Sequence, residues 1–190
     1  QDLDQTRRVN FDPKLYKRLR ELAAHPTHGA PDEVQVFDYI YGVLHCPAYR
    51  DTYAEFLKID FPRIPWPASP DEFWDVSAKG TELRKLHLMD PAAIGPTPYA
   101  FTGDGDNVVD KPRFEDGRVW INATQYFDSA PEVSWGFFIG GYQPAQKWLK
   151  DRKGRALSFD DVKHYQRILK ILAETDRIMG TISMTLDVPA

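Results

Sequence analysis

The chain changes character at Pro91, and that break limits its fold more than any other feature. Before Pro91, apolar residues recur at helical spacing between proline-marked stops. From there to about Gly141, glycine, proline, aspartate and β-formers dominate, and a capped segment of helical period then follows. Helices, then a small and mainly antiparallel β region, then a long C-terminal helix predict an α+β architecture. At 190 residues the chain is long enough for one sizeable core. The expected organisation is a single domain over 1–190, with a helical part at 1–90, a β-rich part at 91–145, and a basic turn and final helix at 146–190.

Local signals place the elements. Asp12-Pro13 opens an amphipathic helix carrying Leu15, Leu19 and Leu22. Pro31-Asp32-Glu33 starts a second, with Val34, Phe37, Ile40, Tyr41 and Leu44 at helical spacing and Pro47 as its stop. A third is predicted over Tyr49–Lys58. The three prolines of Phe61–Pro67 then force an extended strap. Ser69-Pro70-Asp71-Glu72 supplies cap, first-turn proline and acid for a helix running to Asp90-Pro91, in which Gly80 conflicts with propensity by about 1 kcal/mol.

Beyond Pro91, Lys111–Phe114 and Arg118–Asn122 read as a hairpin around the turn Asp116-Gly117. Gln125-Tyr126-Phe127 is expected to extend the second strand, and Val133–Ile139 to form another. Ser158-Phe159-Asp160-Asp161 caps a final helix with Val162, Tyr165, Ile168, Leu169 and Leu172 on its inner face.

Several chemistries lack their residues. No apolar run approaches the roughly 20 residues of a membrane span. Cys46 is the single cysteine, which excludes an internal disulfide and a four-cysteine zinc site and fits a reducing, cytoplasmic setting. It reads as a small apolar residue at a helix end. A hydrolase built on His45 and Cys46 is disfavoured, because adjacent helical residues point about 100° apart. The five histidines are scattered, with His25 and His28 in a Pro/Gly-rich loop. Gly103-Asp104-Gly105-Asp106-Asn107 has oxygen ligands but no bidentate Glu where a calcium loop needs one, so a solvated turn is the better reading. No Glu is followed two residues later by Lys, as a common nuclease pattern requires. No phosphate-binding glycine loop is present, and neither is the methyl-donor loop or Asn/Asp-Pro-Pro-Tyr/Phe turn of an adenine methyltransferase. The sequence therefore predicts a non-catalytic unit, with no metal or cofactor of its own. Gln1, followed by no leader, reads as a boundary inside a longer polypeptide.

The net charge of −4 counts against bulk attraction to nucleic acid, so any such binding needs a local cation cluster. One exists: Lys147, Lys150, Arg152, Lys153 and Arg155, interleaved with Trp148 and preceded by Tyr142 and Gln143. Cations contact phosphates, and glutamine can pair with a base edge. A solvated basic turn fits the same residues.

Three blocks carry a resemblance: Tyr39 to Pro65, Gly140-Gly141-Tyr142-Gln143-Pro144 through Arg155, and Leu157 through Ser158-Phe159-Asp160-Asp161 to Thr175. Over roughly residues 30–180 the sequence resembles the C-terminal specificity domain of type ISP restriction-modification enzymes, and is similar to the corresponding region of related DNA adenine methyltransferases. The resemblance implies double-stranded DNA as partner, an upstream methyltransferase domain in the same polypeptide that binds S-adenosylmethionine and methylates adenine N6, and a parent that also cleaves DNA in some cases. A block shared by enzymes that read different sites cannot itself distinguish those sites. Lys147, Lys150, Arg152, Lys153 and Arg155 are thus expected to hold the DNA backbone or join the methyltransferase. Base reading is expected from Arg113, Arg118, Asn122, Gln125 and Ser134, with Gln143 a further candidate. Tyr39, Tyr41 and Trp66 are expected to pack rather than stack on DNA. The competing reading is a protein-interaction domain that docks a methyltransferase without reading bases.

Overall fold

A computed structural model of the chain describes residues 12–53 and 64–186. Within them lie eight helices and a four-stranded antiparallel sheet, the expected α+β arrangement. The described residues fall into two compact units, one from 12–53 and 64–84 with 179–186, the other from Lys85–Ile178.

In the first unit, helices start where short polar side chains cap them. The Asp12 carboxylate accepts from the Lys14 and Leu15 backbone N–H groups at 2.9 and 3.2 Å, opening α1 (Pro13–Leu22). Asp32 and Gln35 form a reciprocal capping box at α2 (Glu33–Leu44). Helix α3 is described over Pro47–Tyr53, and the rest of the helix expected to Lys58 lies outside the described residues, as does Phe61–Arg63 of the strap. Residues 64–67 are irregular, as their prolines require. Ser69 Oγ accepts from the Glu72 backbone N–H at 3.1 Å to start α4 (Pro70–His87).

The core here joins Tyr39, Val43 and Tyr49 to Phe73, Val76 and Leu83. Tyr39 stacks on Phe73 at 4.8 Å, and its hydroxyl donates to the Pro65 carbonyl at 2.7 Å, the packing role expected of it. Cys46 is buried as a small apolar residue. The Gly80 conflict also has its explanation. A Cβ at Gly80 would strike the Asp38 backbone carbonyl, and one at Gly42 would lie 2.5 Å from the Val76 carbonyl. Helices α2 and α4 approach too closely for any side chain at either position.

The second unit begins with Asp90 capping α5 (Pro91–Ile94). Its sheet comprises β1 (Phe101–Thr102), β2 (Arg113–Glu115), β3 (Arg118–Trp120) and β4 (Tyr126–Phe127), in the order β1-β4-β3-β2. Asp116 and Gly117 turn the hairpin at φ 55° and 70°, the left-handed pair that a two-residue turn requires.

Two strand expectations are corrected. Gln125–Phe127 does not extend β3. Asn122 Oδ1 accepts from the Thr124 and Gln125 backbone N–H groups at 3.0 and 2.8 Å, and this side-chain-made turn sends the chain back as a separate strand. Val133–Ile139 contains a short helix, α6 (Glu132–Gly136), in place of a strand. Helix α7 (Pro144–Lys150) and the 21-residue α8 (Phe159–Met179) complete the unit. Ser158 and Asp161 cap α8 reciprocally, and the Ser158 backbone N–H holds the Asp161 carboxyl below its ordinary range. The inner sheet face, Val119 and Phe127 with Ile121 beside them, shares a core with Leu149 of α7 and Tyr165, Leu169 and Leu172 of α8. The buried Tyr165 hydroxyl, pushed far above its ordinary pKa by loss of water, donates to the Ala145 carbonyl at 3.0 Å and ties α8 to α7.

Candidate nucleic-acid interface

Alternation along β2, β3 and β4 sends Phe114, Val119 and Phe127 inward and leaves Arg113, Glu115, Arg118, Trp120 and Tyr126 on the other face. Strand register sets these into two rows. Arg113 lies opposite Trp120, and Trp120 opposite Tyr126. In the second row Glu115 lies opposite Arg118, whose Nε contacts Asp128 at 3.3 Å.

The first row, with Arg118 reaching onto it from the second, is a continuous stack. The Arg113 guanidinium sits 4.7 Å from the Trp120 ring centroid, Trp120 and Tyr126 are 4.5 Å apart, and the Arg118 guanidinium is 4.5 Å from Tyr126. Each arginine is also tied at Nε, Arg113 to Glu115 at 3.0 Å and Arg118 to Asp128. A guanidinium held on a ring and anchored at Nε has lost most of its rotamer freedom before any ligand arrives. Its Nη edge remains for a partner that accepts two hydrogen bonds. In Arg113 one Nη donates a long 3.4 Å bond to the Asn122 carbonyl, whereas among the described residues the hydrogen bond of Arg118 is made through Nε.

Other expected base-reading residues are used internally. Ser134 is fully buried, and its Oγ donates to the Leu169 carbonyl at 2.6 Å. Gln125 is 3% exposed, with Oε1 accepting from the Asn107 N–H at 2.9 Å and Nε2 donating to Asn107 Oδ1 at 2.8 Å. Asn122 donates to the Val108 carbonyl and to Gln125 Oε1, both at 3.0 Å, besides making its turn. Burial and saturation remove Ser134 and Gln125 from the candidate surface and leave Asn122 little capacity. Gln143 is half-buried at the head of α7, with a long 3.4 Å bond to the Gly136 carbonyl. Ser134→Ala is accordingly expected to lower stability by about 1 kcal/mol in chemical denaturation and to leave ligand affinity unchanged.

The expected cation strip divides in the same way. Arg152 packs 3.7 Å from the Trp148 ring centroid and donates to the Trp148 carbonyl at 3.0 Å, which makes it part of the scaffold. Lys147 pairs with Asp151 at 2.7 Å one turn along. Lys150, Lys153 and Arg155 are exposed and form no ion pair among the described residues. The turn bearing them is held by its backbone. Gly154 N donates to the Val109 carbonyl at 2.8 Å, Val109 N to Arg155 at 3.0 Å, and Leu157 N to Asn107 at 2.9 Å. Gln125 thus acts at one remove, since it grips the Asn107 segment on which the basic turn is fastened.

No group of three or more metal-ligating side chains occurs among the described residues. The loop at Gly103 and Gly105, weighed above as a calcium loop against a solvated turn, packs closely on the Thr124 carbonyl and the Gln125 side chain. No helix is long and apolar enough to cross a membrane among the described residues.

A family profile described as the type ISP C-terminal specificity domain matches residues 1–181. The chain belongs to that family. The resemblance in the three sequence blocks is therefore sound, and the fold of this specificity domain is similar to parts of three solved structures. A DrdV–DNA complex solved by cryo-electron microscopy aligns with a TM-score of 0.72 at 22% identity, covering 92% of this chain and 20% of that one. The type ISP restriction-modification enzyme LlaBIII, ATP-dependent and bound to DNA, gives 0.63 at 17% identity, covering 90% and 12%. A nuclease-deletion mutant of LlaGI, a type ISP restriction-modification enzyme in complex with a DNA substrate mimic, gives 0.59 at 20% identity, covering 83% and 14%. The specificity domain thus spans a fifth or less of the chains it resembles, and the likeness is one of fold. A search of curated protein sequences gives no match.

The sequence names Arg113 and Arg118 as candidates but not Trp120 and Tyr126, the rings on which they pack. The signal was present in the Arg-Val-Trp alternation of β3 opposite Tyr126. It needed the strand register before it could be read.

Proposed function

We propose that this specificity domain recognises a double-stranded DNA sequence for a restriction-modification polypeptide whose catalytic reactions lie in other domains. The observation that carries this reading is the outer sheet face, where two arginines are held ready on stacked aromatics. Each has a carboxylate beside it. Phosphate would be repelled by Glu115 and Asp128, whereas base edges offer both acceptors for arginine, at guanine O6 and N7, and a donor for a carboxylate, at cytosine N4. Arg113 and Arg118 are therefore assigned to base reading, and Lys150, Lys153 and Arg155 to the sugar-phosphate backbone. Lys147 joins them once it exchanges Asp151 for phosphate, while Arg152 positions the turn.

In the parent, the partner in the same polypeptide is a methyltransferase domain that binds S-adenosylmethionine and modifies adenine N6, and the setting is cytoplasmic. The test is binding of the chain to a pool of duplexes with randomised centres, followed by selection and titration against salt. With these four backbone contacts, a roughly fourfold rise in salt is expected to lower affinity about 150-fold. Charge reversal of Lys150, Lys153 and Arg155 to Glu should flatten that dependence for every duplex alike. Absence of any selected sequence would overturn the reading.

A second reading, docking of the methyltransferase without base contact, is favoured by an apolar groove in the first unit lined by Leu15, Tyr16, Ile40, Pro65 and Trp66. Exchange of the whole domain between two parents of different specificity separates the two, because specificity moves with the domain only under the first.

A further inference from the structure

Residues 133–150 form the longest stretch of this acidic chain without an Asp or Glu. At its centre is an apolar tip. Phe138, Ile139 and Tyr142 are 60%, 48% and 47% exposed, although large apolar side chains normally seek burial. They sit on a tight turn in which Ile139 and Tyr142 exchange backbone hydrogen bonds of 2.9 and 3.3 Å across Gly140-Gly141. Gly140 has φ 58°, and a Cβ at either glycine would meet nothing within 4 Å, so the tip stands clear of the body.

Its base is fixed. Phe137 and Trp135 pack on the core of the second unit, and Gln146 Nε2 of α7 donates to the Trp135 carbonyl at 3.1 Å. Helix α7 begins two residues after Tyr142 and carries Lys147 and Lys150 on its exposed side.

We infer that the Phe138–Tyr142 turn is a wedge that inserts between stacked base pairs of the duplex and bends it. This rests on the DNA-recognition reading and adds a mode of contact to it. Three features select DNA over an apolar protein surface. The tip is narrow, a two-residue turn flanked by Ile139 and Tyr142 with Phe138 beside them. The adjoining element supplies cations to neutralise the phosphates beside a kinked step. The acid-free stretch removes the charge that would oppose entry. Side chains of this kind unstack a step and kink DNA by about 20–90°.

The test uses the 190-residue chain and a duplex selected from the randomised pool, labelled at both ends for energy transfer and saturated with protein so that bending is separated from affinity. Wild type is expected to shorten the end-to-end distance. Phe138→Ala/Tyr142→Ala should bind about tenfold more weakly and leave the saturated duplex straight. Lys150→Glu/Lys153→Glu should weaken binding but retain the bend at saturation. Phe138 and Tyr142 are surface residues, and circular dichroism checks that the variant remains folded. A benzoylphenylalanine placed at 138 should crosslink to DNA. A straight duplex with wild type bound, an unchanged bend with the alanine variant, or crosslinking to protein alone overturns the wedge and leaves recognition standing. Failure of wild type to bind any duplex removes both.

Discussion

Arg84→Met is expected to destabilise the first unit by about 3–4 kcal/mol, read as a lower urea midpoint at unchanged slope. Asp38 lies on α2 with its side chain 2% exposed. Arg84 Nε and Nη2 donate to its two carboxylate oxygens at 2.7 and 3.1 Å, and Thr81 Oγ1 donates to Oδ2 at 2.7 Å. Removing the guanidinium leaves a buried carboxylate with one neutral donor. That penalty exceeds the worth of an ordinary surface ion pair. Arg84 is itself 28% exposed, so water reaches the partner side and the loss falls toward the lower end of the usual 3–5 kcal/mol. The pair also lies beside the close approach at Gly80, whose missing side chain lets α4 meet the Asp38 carbonyl. Asp38→Leu/Arg84→Met should recover most of the loss, because it removes the charge along with its partner. A double variant as unstable as Arg84→Met would assign the effect to packing of the arginine stem.

These two residues also mark the limit of what the sequence discloses. Caps are local and were legible: Asp12-Pro13, Asp32, Ser69-Pro70 and Ser158 start helices because a short polar side chain needs only the next three residues. The hairpin at Asp116-Gly117 is local for the same reason. Gly80 read as a defect, since its justification is a carbonyl 42 residues away in sequence. The stretch Val133–Ile139 has the composition of a strand, yet Pro131 and burial of Ser134 against Leu169 make α6 the better packed choice. Tertiary packing overrode propensity there.

At the candidate site the same division holds. The cation cluster is visible as composition, but composition does not separate Arg152, bound over Trp148, from exposed Lys153. Asn122 and Gln125 looked like readers because their amides pair with bases. A buried amide that already makes its hydrogen bonds has nothing left to read with.

Arg118→Ala is expected to remove preference at one base pair of the selected site and leave the others intact. The guanidinium of Arg118 is fixed by Tyr126 beneath it and Asp128 at Nε, so its Nη edge meets a base with little further loss of freedom. A bidentate arginine–guanine pair contributes about 1–3 kcal/mol of discrimination. Duplexes with that guanine replaced should therefore bind wild type roughly 5–150-fold more weakly and bind the variant as well as the parent site. Arg118→Lys should behave like alanine, because an ammonium group cannot make the forked contact or stack on the ring. Asp128→Asn should keep part of the preference, and Tyr126→Phe nearly all of it, since the ring and not the hydroxyl carries the stack. The measurement is a titration of each variant against duplexes differing by one base pair at a time. A uniform fall across all of them would place Arg118 on phosphate and leave base reading to Arg113. The carboxylate beside Arg118 makes that outcome the unfavourable one, because phosphate at Arg118 would have to approach Asp128 as well.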